Sequence, residues 1–450
     1  MTSPDLNSPF PANSRDLDAL AETARQCVQT GQLQQASGLY TRLLEQVPDH
    51  AAALNFFGTQ ALEAGQFSRS VTLFRRALTA HPDDAGLHKN LGLAQRASGA
   101  LDAALSAFDA ALRIKPEYPV ALLHRAAVLE QMGKREEALS SYLAALSQAS
   151  TLGLMRQMDA LPAGLRQSLQ HAIAAVQQAR EEHLARMLAP LRVAHDAAVF
   201  ARVDRCLRIY LGKETLPAGH ALQRCTFMTF PGIPAQAWFD RTQFPWLTEI
   251  EQHTDEIRAE LIEVLRGDAG FRPFIEMPRD HPGTKYWEAL NYSPNWNAFF
   301  FYRDGDRFDE NWKRCPVTSG LLDSLPLSRV AEHSPETFFS VLKPGAHIPP
   351  HTGVINTRLV VHLPLIIPPD CGIRVGSETR GWKEGECIVF DDTFEHEAWN
   401  KSDQTRVVLI FDIWNPYLTD VEREAMRIVV EELGRFNQTH GQIERAYANN

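Results

Sequence analysis

The sequence predicts an all-α array of repeated helix pairs followed by an all-β domain with flanking helices. Three observations carry this reading. A 34-residue period runs through the first third of the chain. A stretch without glycine or proline, apolar at helical spacing, comes next. Beyond about residue 200 short apolar runs alternate with Gly, Pro and Asp turns. The length of 450 residues suits two or three domains.

In the first third, Gly31, Gly65, Gly99 and Gly133 keep the period, as do Pro48, Pro82 and Pro116. Nine residues after each glycine stands a ring (Tyr40, Phe74, Phe108, Tyr142), and five after it a small residue (Ala36, Ser70, Ala104, Ala138). Glycine permits the tight turn between two helices, the small residue lets them approach, and the ring fills the space between them. Proline then closes the second helix. The pattern resembles the tetratricopeptide repeat, with three full repeats over about 48–149 and a more divergent one from about 14. Such arrays stack into a superhelix whose concave groove commonly binds peptides; a purely supporting or dimerising role is the alternative.

Residues 150–200 read as a helical cap or linker, with "LRQSLQHAIAAVQQAREEHLARML" as its core and His171 and His183 as ordinary helix residues. "FPWLTEIEQHTDEIRAELIEVLRG" (244–267) reads as one amphipathic helix ending at Gly267. From 296 onward "WNAFFFYRDG", "TFFSVLKPG", "TRLVVHLPLIIP", "GIRVGS", "GECIVFDD", "HEAWNKS" and "TRVVLIFDIWNP" read as strands of a sandwich or barrel. The domain expectation is repeats over 14–149, a linker over 150–200, a β domain over 201–420, and a C-terminal helix and tail over 421–450.

A net charge of −10 argues against a nucleic-acid partner. The first residues lack the basic and apolar segments of a signal peptide, and the most apolar run, "RLVVHLPLIIPP", is too short to span a bilayer. Six scattered cysteines with no Cys-x-x-Cys fit free thiols in a reducing cytoplasm, so a cytoplasmic protein without a membrane partner is expected.

Three residues of the β region stand out together: His351 in "IPPHTG", His396 in "VFDDTFEHEAW", and Arg406 ten residues later. Each alone is weak, because a lone histidine is more often packed than ligating. Together they are what a double-stranded β-helix needs to hold Fe(II) and the far carboxylate of 2-oxoglutarate. Imidazole suits the metal, and arginine grips a carboxylate through two donors. Many iron oxygenases place an acid two residues after the first histidine, on the same strand face. Here that position is Gly353.

"HTGVINTRLVVHLPL", "GWKEGECIVFDDTFEHEAWN" and "TRVVLIFDIWNP" resemble the aspartyl/asparaginyl β-hydroxylase family over roughly 205–420. That resemblance implies a double-stranded β-helix (jelly-roll, cupin-like) domain and an Fe(II)- and 2-oxoglutarate-dependent dioxygenase consuming O2. It implies two histidine ligands with a glycine in place of the acid. His351 and His396 would hold the metal. Arg406, with Ser340, would bind the C5 carboxylate of 2-oxoglutarate, and His362 would lie near its C1 carboxylate. Trp296 would line the cosubstrate pocket. The chain departs from the family's Arg-Leu-Arg-x-His pattern at Val360. Arg358, on the same strand face as His362, could supply the missing contact.

Neighbouring acids fit less well as ligands. Glu395 and Glu397 flank His396 and would face away from it. Asp391 and Asp392 suit a turn or an outer-shell acceptor. His347 would serve only if "HIPPH" bent, and His333, Cys371 and Cys387 show no zinc spacing. The implied target is the β-carbon of Asp or Asn in a protein or peptide, bound with help from the repeats. The alternatives are a lipid or small-molecule hydroxylase, for which a membrane segment would be expected, and a repeat adaptor with a degenerate, non-catalytic oxygenase domain.

Overall fold

The computed structural model describes residues 14–216, 219, 221–267, 270–278 and 283–440. The tail expected over 441–450 lies outside the described residues.

Four antiparallel helix pairs form the repeats: α1 (Ser14–Gln29) with α2 (Leu33–Gln46), α3 (Ala51–Glu63) with α4 (Phe67–Ala80), α5 (Ala85–Ala97) with α6 (Leu101–Ile114), and α7 (Pro119–Gln131) with α8 (Arg135–Thr151). The periodic glycines sit at the turns with φ of 75°, 71°, 82° and 74°, a region that glycine enters without steric cost. A second periodic glycine sets the spacing within each central pair. A Cβ on Gly58 would lie 2.7 Å from the Phe74 ring, and one on Gly92 would lie 2.8 Å from the Phe108 ring. Ser70 Oγ donates to the Gly58 carbonyl at 2.7 Å across the same close approach.

The chain then forms α9 (Ala163–Ala194) and α10 (Ala201–Tyr210). His171 bonds Glu130, and His183 bonds Glu432. The expected helix over 244–267 is two: α11 (Leu247–Gln252) and α12 (Thr254–Gly267), separated at His253. The Thr254 hydroxyl donates to the Glu251 carbonyl at 2.6 Å, a local bond that competes with the helical ladder.

The chain divides into two compact units. Of the described residues, one holds the repeats through Ala179 together with Asn437–His440, and the other spans Arg180–Phe436. The second unit therefore starts earlier than 201 and includes most of the C-terminal helix. The cause is packing: Leu184 and Leu188 of α9, Val203 of α10 and Met426, Val429 and Leu433 of the C-terminal helix share one apolar cluster with Met228 and Ile355.

The strands are β1 (Trp238–Phe239), β2 (Phe271–Pro273), β3 (Trp296–Arg303), β4 (Asp306–Arg307), β5 (Thr337–Leu342), β6 (His347–His351), β7 (Arg358–Ile366), β8 (Cys371–Val375), β9 (Glu378–Arg380), β10 (Ile388–Phe390), β11 (His396–Asn400) and β12 (Arg406–Trp414). Helices α13 (Asp309–Arg314) and α14 (Pro316–Ser324) follow β4, and α15 (Asp420–His440) closes the fold. All ladders are antiparallel. The large sheet runs β1-β10-β7-β12-β5-β3-β2, with β4 beside β3, and the small one β6-β11-β8-β9.

Alternation assigns the faces. Leu359, Val361, Leu363, Val407, Leu409 and Phe411 pack against Ile257, Leu261 and Val264 of α12. The intervening residues, Val360 and Val408 among them, face the small sheet's Ile348, Ile373 and Ala398. All six cysteines are free. Among the described residues, no helix is long and apolar enough to cross a membrane.

Candidate functional site

His351 and His396 are direct cross-strand partners at the β6–β11 edge, with ring centroids 4.0 Å apart. His351 Nδ1 lies 2.8 Å from the Pro349 carbonyl, and His396 Nδ1 lies 2.9 Å from the Phe394 carbonyl. A carbonyl only accepts, so each Nδ1 carries the proton and each Nε2 keeps its lone pair. Burial, helped by the neighbouring His396, lowers His351 to about 3. Burial lowers His396 to about 4. Both rings are neutral imidazoles near neutral pH, the form that binds a metal ion.

Gly353 is crowded. An ideal Cβ there would stand 2.3 Å from Asp392 Cγ and Oδ1. The space of a side chain at 353 is taken by a carboxylate from the turn before β11, while Gly353 N–H donates to the Asp392 carbonyl at 2.6 Å. Among the described residues, no three His, Cys, Asp or Glu side chains are placed to hold one ion. The two histidines fit a metal as a two-nitrogen donor set. The other acids are engaged elsewhere. Arg374 binds both Glu395 and Glu397, Glu397 also holds His347, and Asp391 accepts from Thr393 and Gln223.

Both histidines line a cavity of about 460 Å³ whose floor is the inner face of the large sheet. Arg406 is 1% exposed. Its Nη1 donates to Ser340 Oγ at 3.2 Å and to the Ser340 carbonyl at 3.3 Å, and its Nε is buried with no hydrogen-bond partner among the described residues. Burial pulls this guanidinium down to about 10. A buried, unmatched arginine is costly unless an anion completes it. Trp296 Nε1 donates to Ser340 Oγ at 3.1 Å, and its ring stacks on Phe274 with centroids 4.2 Å apart.

His362 lies one strand over from Arg406. Its Nδ1 accepts from Trp382 Nε1 at 3.3 Å, so its Nε2 carries the proton. Burial first, and the charge of Arg406 second, hold it well below the usual range of histidine. Trp382 also stacks on Arg406, 4.9 Å from guanidinium carbon to ring centroid.

The structure therefore gathers His351, His396, His362, Arg406 and Trp296 around one cavity, with Ser340 behind Arg406 and Trp296 as their shared acceptor. Arg358 also lines it but does not reach toward Arg406. Its Nη1 bonds Asp412, and its Nη2 lies 3.6 Å from Asp392. Its guanidinium is thus engaged by these two carboxylates on the cavity wall. Sequence reasoning missed Trp382, Phe274, Glu336 and Asp412. Only Asp412 carried a readable sign: it is the one acid of a strand that is apolar from Val407 to Phe411, in register with Val360.

Fold and site define a β-sheet domain with a paired-histidine centre that shares one cavity with a buried arginine. Residues 251–416 match the family model for Aspartyl/Asparaginyl beta-hydroxylase, and residues 57–119 match a tetratricopeptide repeat. The chain thus carries a domain that matches this hydroxylase family over residues 251–416, with the repeats in front of it. It is 36% identical over 181 residues to the ornithine lipid ester-linked acyl 2-hydroxylase of Rhizobium tropici, covering 40% of this chain and 60% of that protein. It is 32% identical over 199 residues to human aspartyl/asparaginyl beta-hydroxylase, covering 43% and 25%. A third relative is aspartate beta-hydroxylase domain-containing protein 2 of Xenopus tropicalis, 36% identical over 212 residues, covering 46% and 54%. The chain thus spans less than two thirds of the length of each.

Proposed function

We propose that the chain is an Fe(II)- and 2-oxoglutarate-dependent dioxygenase on a double-stranded β-helix scaffold. Its proposed reaction is hydroxylation at the β-carbon of Asp or Asn in a protein or peptide substrate that the repeats help to hold. One observation carries the reading: two neutral histidines with available Nε2 atoms share a cavity with a buried, unmatched arginine. Iron, 2-oxoglutarate and O2 would together supply an oxidant able to hydroxylate a C–H bond.

The protein's own part is positional. The carbonyls of Pro349 and Phe394 fix the two tautomers, which presents both Nε2 atoms for a metal. Arg406 and Ser340 would take the far carboxylate of 2-oxoglutarate, a charge-assisted contact that holds its direction. His362, held by Trp382, would donate Nε2–H to the near carboxylate. Trp296 and Phe274 wall off water along the chain of the cosubstrate.

A second substrate reading, hydroxylation of a lipid acyl chain, draws support from the name of the Rhizobium relative and from the apolar walls Phe338, Ile348, Ile373 and Ile410. The test is direct. Purified protein with Fe(II) and ascorbate is expected to convert 2-oxoglutarate to succinate. Absence of any turnover, coupled or uncoupled, together with undiminished iron binding by His396→Ala, would overturn the reading.

A further inference from the structure

One side chain outside the cavity touches both groups that would read the two ends of the cosubstrate. His362 and Arg406 line the cavity, and Trp382 stands behind them. Its Nε1 donates to His362 Nδ1 at 3.3 Å, and its ring centroid lies 4.9 Å from the guanidinium carbon of Arg406. The indole is buried and packs with Leu342, Ile373 and Val408. Its loop is tied to β7, the strand that carries His362, and to the residue just beyond it. The Gly385 N–H donates to the Pro364 carbonyl at 3.0 Å, and the Ile367 N–H donates to Glu384 Oε1 at 2.8 Å.

The two contacts act in different ways. An indole N–H only donates, so His362 Nδ1 must accept, and the one proton of the neutral ring stays on Nε2. The imidazole is also held in its plane. It stacks on the indole at 6.0 Å and 27°, and the Phe390 ring stands edge-on to it at 5.0 Å. Arg406 has Ser340 as its hydrogen-bond partner and no carboxylate among the described residues. The electron-rich face of the indole is what this buried guanidinium packs against instead. Such a face attracts the cation without taking up its N–H groups, and Arg406 Nε has no partner among the described residues.

We propose that Trp382 is a positioning residue for both carboxylate contacts: its N–H fixes the proton that His362 offers, and its ring face fixes the place of Arg406, so that the cavity takes a 2-oxo dicarboxylic acid in one direction, with its C1 end at His362. This rests on the oxygenase reading and goes beyond it, because it assigns the choice of a dicarboxylate over a 2-oxo monocarboxylate to one indole that touches neither acid. The two contacts can be removed separately. Trp382→Phe keeps a ring beside Arg406 and removes the N–H, whereas Trp382→Leu removes both.

The full chain loaded with Mn(II) is titrated calorimetrically with 2-oxoglutarate and with 2-oxopentanoate, which has the same C1 end and no far carboxylate. Trp382→Phe is expected to weaken both acids alike, by about three- to tenfold, the loss of one oriented hydrogen bond. Trp382→Leu is expected to weaken 2-oxoglutarate by about a further threefold or more and 2-oxopentanoate no further, so the preference for the dicarboxylate falls. In the protein free of metal and cosubstrate, nitrogen NMR of isotope-labelled histidine is expected to show the Nε2–H tautomer of His362 in wild type and a mixture of tautomers in Trp382→Phe, a change that a loss of packing alone does not produce. Trp382→Phe decides by itself where Trp382→Leu does not fold. A Trp382→Phe protein with wild-type affinity for both acids and the wild-type His362 spectrum, or an equal loss of both acids in a folded Trp382→Leu protein, overturns this proposal alone. Failure of the wild-type protein to bind 2-oxoglutarate in the presence of Mn(II) overturns the oxygenase reading beneath it.

Discussion

Gly353→Ala probes the centre of the site with one methyl group. The added Cβ would stand 2.3 Å from Asp392 Cγ and Oδ1 and 2.4 Å from Oδ2. Comfortable contacts are about 3.5 Å or longer, so the carboxylate must retreat by about 1.2 Å. It is poorly placed to do so, because Gly353 N–H ties the two backbones at 2.6 Å and Arg358 stands 3.6 Å from Oδ2. Overpacking of this kind costs about 1–3 kcal/mol. For a unit of this size each kcal/mol lowers Tm by about 2–4 °C, so a drop of about 2–12 °C is expected. All eight tryptophans lie between 238 and 414, so tryptophan fluorescence follows this unit and not the repeats. Asp392→Ala removes the obstacle. The double variant is therefore expected to be more stable than the sum of the single changes, by about 1 kcal/mol or more. Strict additivity, or a Gly353→Ala protein as stable as wild type, would refute the placement of the Asp392 carboxylate. Gly353→Asp adds a still larger group to the same space and is expected to lose Mn(II) affinity and 2-oxoglutarate turnover rather than gain a ligand.

Arg406→Met removes a charge that is 1% exposed and is expected to weaken 2-oxoglutarate by about 2–5 kcal/mol, roughly 30- to several-thousand-fold in Kd by calorimetry. In the repeats, burial and then Arg96 and Lys89 lower His124 to about 4 from 6.5. The unfolded chain thus takes up a proton over that window and the folded one does not. Stability falls as pH drops from 6.5 to about 4, by up to about 3 kcal/mol, and His124→Gln is expected to flatten that slope in helical circular dichroism melts. Gly92→Val drives a side chain into the Phe108 ring, already 2.8 Å from an added Cβ, and is expected to cost the repeats about 1–3 kcal/mol in the same melts while leaving the tryptophan transition in place.

What the sequence revealed and what it hid divide by distance along the chain. The repeats were readable because turn glycine, small residue and ring recur at fixed offsets. Each offset reports a contact made within one helix pair, as the Ser70 hydroxyl on the Gly58 carbonyl shows. The long strands were readable because Leu359–Leu363 and Val407–Phe411 alternate between two faces. The break at His253 was not, since the apolar spacing runs straight through it and only the Thr254 hydroxyl marks it. The site shows the same division. His351, His396 and Arg406 carried a local signal in residue type and spacing. The residues that tune them did not. Trp382 reaches His362 from twenty positions away, and Glu336, Asp392 and Asp412 reach the cavity from three separate segments of the chain. Gly353 is the sharpest instance. Read locally it is an acid missing from a metal-binding strand. With Asp392 in its Cβ position, it is the residue whose lack of a side chain leaves room for a carboxylate from a turn 39 residues later. A glycine at a ligand position therefore says nothing of the charge at the centre until the residue that fills its space is known.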